Sequence, residues 1–477
     1  MDKVRTRIAP SPTGKLHLGT AYAALWPYLY ARKNNGQFIL RIEDTDTSRS
    51  TQEFAENIIN SLKWLGYEWD EGPYFQTQRL SIYQQAAQKL LAEGRAYRCF
   101  CAKEEIDRER VEQVKKHQVQ VYSGRCRNLS KEEVERNLAD GKPYVIRYRL
   151  PEDRGVIVFE DMIHGRIEFN SSLLGDMIIV RQDGTPLYNF AVVVDDADMD
   201  ITHVLRGDDH ISNTPKQILL FEALGKTPPH YGHYPMILNQ DRSGKLSKRT
   251  GSTSVEDYKN AGYLSEALIN YLALLGWTPP NQVEVLSLDQ IIRLFDIRDM
   301  NIAAAAWNQD KLDWLNSEYI RKMPDQKLTN TLIDYLSARG KLPPRLTEER
   351  VARLTPLVKE RIKTLSDFVP LTSFIFEQPE YDKKVFGQLK VDNLAGILKQ
   401  VGERLGSLKK PWQKQEFEQN FQGLAKELGL SNTQMFQLIR VAVSGRLVTP
   451  PLFESMVILG EEEVIRRIQE ATDFLST

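Results

Sequence analysis

Two short segments carry side chains suited to handling phosphates. Pro10-Ser11-Pro12-Thr13-Gly14-Lys15-Leu16-His17-Leu18-Gly19-Thr20 places a histidine and a close-approach glycine where a strand pattern gives way to a helical one. Backbone N–H groups at a helix start attract anions, a glycine without Cβ lets a nucleotide come near, and His17 can donate a hydrogen bond to a phosphate whose charge is building. Far downstream, Lys245-Leu246-Ser247-Lys248-Arg249 lies in a Gly/Ser-rich stretch. Two lysines at this spacing could clamp the phosphates of ATP from a mobile loop. Singly, the first segment reads as a Gly/Pro turn with a surface histidine and the second as a solvated basic loop; their joint occurrence is what points to a nucleotide site. The chain's three cysteines form a third cluster, all between Cys99 and Cys126. Three is too few and odd for a disulfide framework, which leaves metal binding or chance.

The elements that must hold these groups can be read from periodicity. Val4 to Ala9 alternates and is stopped by Pro10 and Pro12, which predicts a strand. A helix follows from about Thr20 to Asn35-Gly36, and Gln37 to Glu43 alternates again. Ser50 with Glu53 predicts a capping box before a helix whose apolar face is Phe54, Ile58, Leu62 and Leu65. This strand, helix, strand rhythm is that of an α/β sheet. From about Cys99 to Asp183 it breaks into a charged helical piece and short strand-like runs, Tyr144 to Leu150 and Gly155 to Phe159. That stretch reads as an insertion. Parallel-strand character is expected to resume with Val192-Val193-Val194, ending in Asp195-Asp196, and with Ile201 to Leu205, ending in Arg206. Beyond residue 322 every long segment has helical periodicity, as in Glu349 to Phe376 and Glu461 to Leu475.

Composition narrows the class. The 477 residues, 41% hydrophobic and 27% charged, suffice for several domains. No apolar run reaches the ~18 to 20 residues of a spanning helix, and no signal-peptide layout opens the chain, so a cytoplasmic protein without membrane contact is expected. The net charge of -1 conceals a lean: residues 321–477 carry 24 Lys and Arg against 20 Asp and Glu, the remainder 39 against 44. A polyanion binder leans this way, but so do ordinary solvated helices.

Together with Arg7-Ile8-Ala9-Pro10-Ser11-Pro12-Thr13-Gly14, Arg41-Ile42-Glu43-Asp44-Thr45-Asp46, Tyr188-Asn189-Phe190 and Arg206-Gly207-Asp208-Asp209-His210 with Asn213-Thr214-Pro215, the two phosphate segments resemble the paired ATP motifs of class I aminoacyl-tRNA synthetases. Over nearly the whole chain the match is to the bacterial-type glutamyl-tRNA synthetases. Thr20 stands where the wider superfamily has a second histidine, a substitution typical of the glutamyl type and unlike the glutaminyl type.

The resemblance implies a Rossmann-type parallel sheet split by an inserted α+β domain, then a stem-contact region and an all-α anticodon-binding domain. The corresponding ranges are 1–98 and 185–235 for the catalytic halves, 99–184 for the insertion that binds the acceptor end, 236–321 for the stem contact and 322–477 for the anticodon. It implies an ATP site of Pro10, Ser11, Thr13, Gly14, His17, Gly19, Thr20 and Lys245, Leu246, Ser247, Lys248, Arg249, with His17, Lys245 and Lys248 catalytic and Mg²⁺ beside the phosphates. The glutamate pocket maps to Arg7, Ser11, Glu43, Tyr188 and Arg206. Glutamate carries two carboxylates and one ammonium, and two arginines with one glutamate match that charge pattern while disfavouring glutamine. The reaction needs no Ser/His/Asp or Cys/His nucleophile, because the substrate's own carboxylate attacks the α-phosphorus. In some members Cys99, Cys101 and Cys126 would hold zinc; Asn128 replaces the histidine of the best-matching pattern, leaving Tyr122 or His117 as the fourth ligand, with Tyr122 preferred. The expected partners are L-glutamate, ATP and glutamate tRNA, with glutamine tRNA added if the product is meant for later amidation. A monomer is expected. A relative that glutamylates a modified tRNA base lacks the helical C-terminal third, and a small-molecule nucleotidylyltransferase would be far shorter. A catalytically dead paralogue is disfavoured by the intact His17, Gly19, Glu43, Lys248 and both arginines.

Overall fold

Alternation at the N-terminus produces β1 (Arg5–Ile8), followed by α1 (Leu18–Lys33), β2 (Gln37–Ile42), α2 (Gln52–Trp64), β3 (Glu71–Phe75) and α3 (Leu80–Ala92). This computed structural model describes residues 3–246, 254–340, 343, 345–408 and 411–477. β1 pairs in parallel with β2 and β2 with β3. Helix α1 is apolar around most of its circumference, from Leu18, Leu25 and Trp26 to Leu29, because it is packed on more than one side. Pro27 inside it has no N–H to offer the carbonyl of Ala23, and the phenol of Tyr234 donates there instead, at 3.4 Å.

The intervening stretch supplies β4 (Ala96–Cys99), α4 (Lys103–Lys115), α5 (Lys131–Ala139), β5 (Val145–Tyr148), β6 (Val156–Asp161), β7 (Gly165–Asn170) and β8 (Ile178–Val180). β4, β5 and β8 form their own antiparallel sheet. The hairpin β6–β7 does something the sequence did not suggest. Asp161 at the end of β6 pairs in parallel with Tyr231, so the hairpin extends the sheet formed by β9 (His203–Gly207) and β10 (His230–Tyr234), the strands of the expected second catalytic half, which also contains α6 (Tyr188–Asp198) and α7 (Thr214–Leu224). The order in that sheet is β7-β6-β10-β9. Thr202 N–H donates to the Arg5 carbonyl at 3.0 Å, setting the start of β9 against β1.

Val192-Val193-Val194 is not a strand. It is the interior of helix α6, with all three valines at most 5% exposed. A short continuous apolar run fits a doubly covered helix as well as a buried strand. The cap of α2 also moves by one residue: the extended Thr51, not Ser50, accepts the Phe54 N–H at 3.2 Å. Helix α1 starts two residues earlier than periodicity predicted, because His17 caps it.

The first compact unit, Met1–Lys259 with Ser265–Gln309, also contains α8 (Val255–Asn260), α9 (Ser265–Gly276) and α10 (Leu288–Leu294). The second, Asn260–Leu264 with Asp310–Thr477, is helical: α11 (Gln309–Lys322), α12 (Asp325–Ser337), α13 (Glu348–Val358), α14 (Phe368–Thr372), α15 (Lys383–Gly387), α16 (Leu394–Gly406), α17 (Lys414–Glu427), α18 (Asn432–Ser444), α19 (Leu452–Leu459) and α20 (Glu461–Ser476). The run Glu349 to Phe376 is broken after Val358, where the Asp367 carboxylate accepts the N–H groups of Lys363 and Thr364 at 2.8 and 2.9 Å and starts a new turn. In α20 the buried Arg467 donates to the carbonyls of Phe374, Val443 and Glu377, which satisfies backbone acceptors that would otherwise be stranded in the core. No helix among the described residues is long and apolar enough to cross a membrane.

Candidate active site

The carboxyl ends of β1, β2 and β9 open onto one cavity of about 400 Å³, the place where open α/β sheets bind ligands. Arg7, Pro10, Ser11, His17, Gly19, Thr20, Glu43, Tyr188, Arg206, Lys245 and Leu246 all line it. Thr13 and Gly14 do not line it. Ser247, Lys248 and Arg249 lie outside the described residues.

His17 is the N-cap of α1, and its Nδ1 accepts the Gly19 N–H at 3.0 Å. That bond puts the proton of the neutral ring on Nε2. The Thr20 and Ala21 N–H groups bond to the His17 carbonyl at 2.9 and 3.0 Å, so these first-turn donors are engaged internally. Gly19 has a local reason to be glycine, since a Cβ there would come within 3.2 Å of the His17 ring. Across the cavity, a Cβ on Gly207 would meet Asp209 Oδ1 at 2.6 Å and Met236 Sδ at 2.7 Å, which keeps this wall bare backbone. Lys245 Nζ is bonded to Asp209 Oδ2 at 2.8 Å.

Three buried arginines differ in how they are compensated. Arg7 makes a two-pronged contact with Asp196, at 3.1 and 3.0 Å. Arg41 reaches Asp196 at 2.7 Å, Glu43 at 3.3 Å and Asp195 at 3.5 Å. Burial pushes the Asp196 carboxyl up, but Arg7 and Arg41 overcome it and hold the group at about 2. Glu43 goes the other way: burial raises it despite Arg41 and Arg7. Arg206, 6% exposed, has no carboxylate within ion-pair reach among the described residues. Its Nε donates to His233 Nε2 at 3.1 Å, Nη1 to Gln217 Oε1 at 2.8 Å and Nη2 to Thr214 Oγ1 at 2.7 Å. These acceptors are neutral, and burial pulls the guanidinium below its ordinary value. A guanidinium has five N–H donors; three bonds fix its plane and two donors remain for a ligand.

Sequence reasoning assigned no role to Asp196, Thr214, Gln217, His233 or Asp161. A hint lay in Asp195-Asp196, two acids directly after an apolar run, since charges in such surroundings need partners.

The cysteines converge as well. Their three Sγ atoms lie within 4.8 Å of one another, and Cys101 Sγ is 3.6 Å from Cys126 Sγ. A tetrahedral zinc with Zn–S of about 2.3 Å sets its sulfurs roughly 3.8 Å apart, so the spacing fits. Tyr122 Oη lies 3.4 Å from Cys99 Sγ and 3.3 Å from Cys101 Sγ, while His117 is outside the ligand group. Arg147 stacks over the Tyr122 ring at 3.9 Å, a cation beside groups that bind metal as anions. The neighbouring Cys126 thiol, despite burial, draws Cys99 well below the ordinary thiol range.

Comparison with known proteins is consistent along the whole chain. Residues 3–314 match the family model of class I tRNA synthetases (E and Q), catalytic domain, and residues 327–472 that of an anticodon binding domain. A glutamate–tRNA ligase of Aquifex aeolicus is 44% identical over 479 residues, covering 100% of both chains. Glutamate–tRNA ligase 1 of Caldanaerobacter subterraneus subsp. tengcongensis is 43% identical, covering 100% of this chain and 98% of its own. The crystal structure of a glutamate tRNA ligase from Elizabethkingia meningosepticum in complex with its amino acid superposes with a TM-score of 0.90 at 34% identity, covering 99% of this chain and 100% of that one.

Proposed function

The chain belongs to the class I tRNA synthetases for glutamate and glutamine, and on that premise we propose that it is a glutamate–tRNA ligase. It activates L-glutamate with ATP and transfers it to the terminal adenosine of glutamate tRNA. The observation that carries the choice of amino acid is Arg206, a buried cation held in place by three neutral acceptors with two donors left over. A substrate carboxylate supplies the missing charge and a two-pronged acceptor. A glutamine amide would offer one acceptor and no charge, leaving the guanidinium uncompensated. Glu43 serves the substrate ammonium, and Arg7, Ser11 and Tyr188 complete the pocket.

In the first step the α-carboxylate of glutamate attacks the α-phosphorus of ATP, the bond to the β-phosphate breaks, and pyrophosphate leaves with its electron pair. The Nε2–H of His17 and the ammonium groups of Lys245 and Lys248 stabilise the charge that builds on the phosphates. Pro10, Ser11, Gly19, Thr20 and Leu246 line the nucleotide site around them, and Thr13, Gly14, Ser247 and Arg249 are assigned to it by the resemblance alone. Lys245 must exchange Asp209 for phosphate to do this. Mg²⁺ accompanying ATP neutralises further phosphate charge. In the second step a ribose hydroxyl of the terminal adenosine attacks the glutamyl carbonyl and AMP leaves. This reading gives 1–98 and 185–235 to the catalytic halves, 99–184 to the acceptor end, 236–321 to the stem and 322–477 to the anticodon, in a cytoplasmic monomer. Zinc, where bound, would be held by Cys99, Cys101, Cys126 and Tyr122 and tie the end of β4 to the loop at 122–126.

The test is glutamate-dependent exchange between pyrophosphate and ATP, with and without glutamate tRNA. Exchange only with tRNA, followed by charging, is expected. Robust exchange without tRNA would favour base-modifying or small-molecule chemistry, and no exchange in either case would overturn the reading.

A further inference from the structure

The side chain that points the substrate-facing arginine is itself set by a carboxylate from outside the pocket. His233 is fully buried, and its two nitrogens have different neighbours. Nε2 lies 3.1 Å from Arg206 Nε, which can only donate. Nε2 also lies 3.1 Å from Thr214 Oγ1, which can donate or accept, so both contacts are satisfied together when Nε2 carries no proton. Nδ1 lies 2.6 Å from Asp161 Oδ2, an acceptor, so the proton of the neutral ring belongs there. Asp161 is fixed in turn: its Oδ1 accepts the backbone N–H groups of Ile163, His164 and His233 at 3.0, 2.9 and 3.3 Å. Asp161 ends β6; Ile163 and His164, which it grips, lie in the turn of the β6–β7 hairpin, and His233 lies on β10. Burial keeps His233 below its ordinary value, against the pull of Asp161.

Building on the glutamate-ligase reading, we propose that Asp161 and His233 are positioning residues for amino-acid selection, the turn-locked Asp161 carboxylate fixing the His233 tautomer that orients Arg206. Neither needs to touch the substrate. With the ring reversed, Nε2–H would turn to Thr214 Oγ1 and compete there with Arg206 Nη2, while Arg206 Nε would lose its acceptor; the guanidinium would swing away from the geometry in which its two remaining donors meet a carboxylate.

Asp161→Asn reverses the ring without changing the volume of the side chain. The amide oxygen can keep the turn, while the amide N–H2 faces Nδ1 and drives the proton to Nε2. The KM for glutamate is expected to rise about ten- to a hundred-fold, the effect of spoiling one hydrogen bond to a charged group, with the KM for ATP changed less than about two-fold. His233→Gln keeps an acceptor where Nε2 stood but has no tautomer. Alone it should raise the glutamate KM much less than Asp161→Asn does, and adding Asp161→Asn to it should change the glutamate KM no further. An equal effect of Asp161→Asn in both backgrounds, or none in the parent, overturns the proposal. A readout independent of catalysis comes from ¹⁵N-histidine NMR of the full chain, with His233 assigned by its loss in His233→Gln. An Nδ1–H tautomer is expected, and an Nε2–H or doubly protonated ring overturns it even if the parent is active. Absence of glutamate charging by the parent protein, with the Nδ1–H tautomer in place, would instead count against the functional reading.

Discussion

Replacing Asp196 by Asn should destabilise the first unit by about 4 kcal/mol while leaving its shape unchanged. Asp196 accepts two bonds from Arg7 and one from Arg41, and all three side chains are at most 7% exposed. An amide has one acceptor oxygen and no charge, so at least one guanidinium faces an N–H2 where water does not reach. Two magnitudes bracket the cost. Holding the carboxyl at about 2 rather than 3.8 corresponds to about 2 kcal/mol in favour of the charged form. Removing one partner of a buried ion pair costs about 3–5 kcal/mol, and here two arginines share the lost partner. At about 2 °C per kcal/mol for a unit of this size, the calorimetric midpoint should fall by roughly 8 °C. Hydrogen exchange of peptides spanning β1 and α6 would assign the transition to this unit rather than to the helical one. The folded-state carboxyl is depressed, so its contribution is complete above about pH 4 and is lost as the pH falls toward 2. The gap between parent and variant should therefore shrink across that window. A variant within about 1 kcal/mol of the parent at neutral pH, or a gap that does not change on acidification, would refute the reasoning.

Arg206→Met should lower kcat/KM for glutamate by about 10² to 10⁴, as expected for two charge-assisted bonds, with the KM for ATP nearly unchanged; steady-state charging assays check this, and a loss under ten-fold would count against the role. His17→Asn retains an oxygen that can cap the Gly19 N–H but loses the Nε2 donor. Activation should slow by about 10² to 10³ with no change in the thermal midpoint, as read by pre-steady-state kinetics and calorimetry. If zinc is held by the cysteines and Tyr122, purified protein should contain one equivalent by metal analysis; Cys126→Ser should abolish it, and Tyr122→Phe should weaken binding by about ten- to a hundred-fold in chelator competition.

The sequence showed which residues reach the cavity wherever a side chain lies next to its strand end. Arg7, Glu43 and Arg206 could be found because the ends of β1, β2 and β9 place them without help from elsewhere. Asp196 could not be placed correctly, because three valines before two acids look the same in a buried helix as in a buried strand, and only the packing of α6 decides. The partners of Arg206 were hidden for another reason. Thr214 and Gln217 come from α7, His233 from β10 and, behind it, Asp161 from an inserted hairpin, and no local period announces such long-range meetings. The alternation at Gly155 to Phe159 predicted a strand correctly, but the strand it pairs with could not be deduced from it. The cysteine spacing was visible, whereas the approach of the Tyr122 hydroxyl to two of the thiols required the fold.

The contact between β1 and the start of β9 bears on how the chain is made. Arg5 and Thr202, which join there, are 197 residues apart. At ribosomal speeds of about 5–20 residues per second, the inner edge of β1 waits roughly 10–40 s for its neighbour to be synthesised. During that time it is an open strand edge in a nascent chain, the kind of surface that recruits the wrong partner. Arg5 and Arg7, which in the finished molecule hold Glu71 and Asp196, are charged all through that interval and discourage edge-to-edge association. The same two cations would thus guard the polypeptide while it emerges and serve the folded protein afterwards.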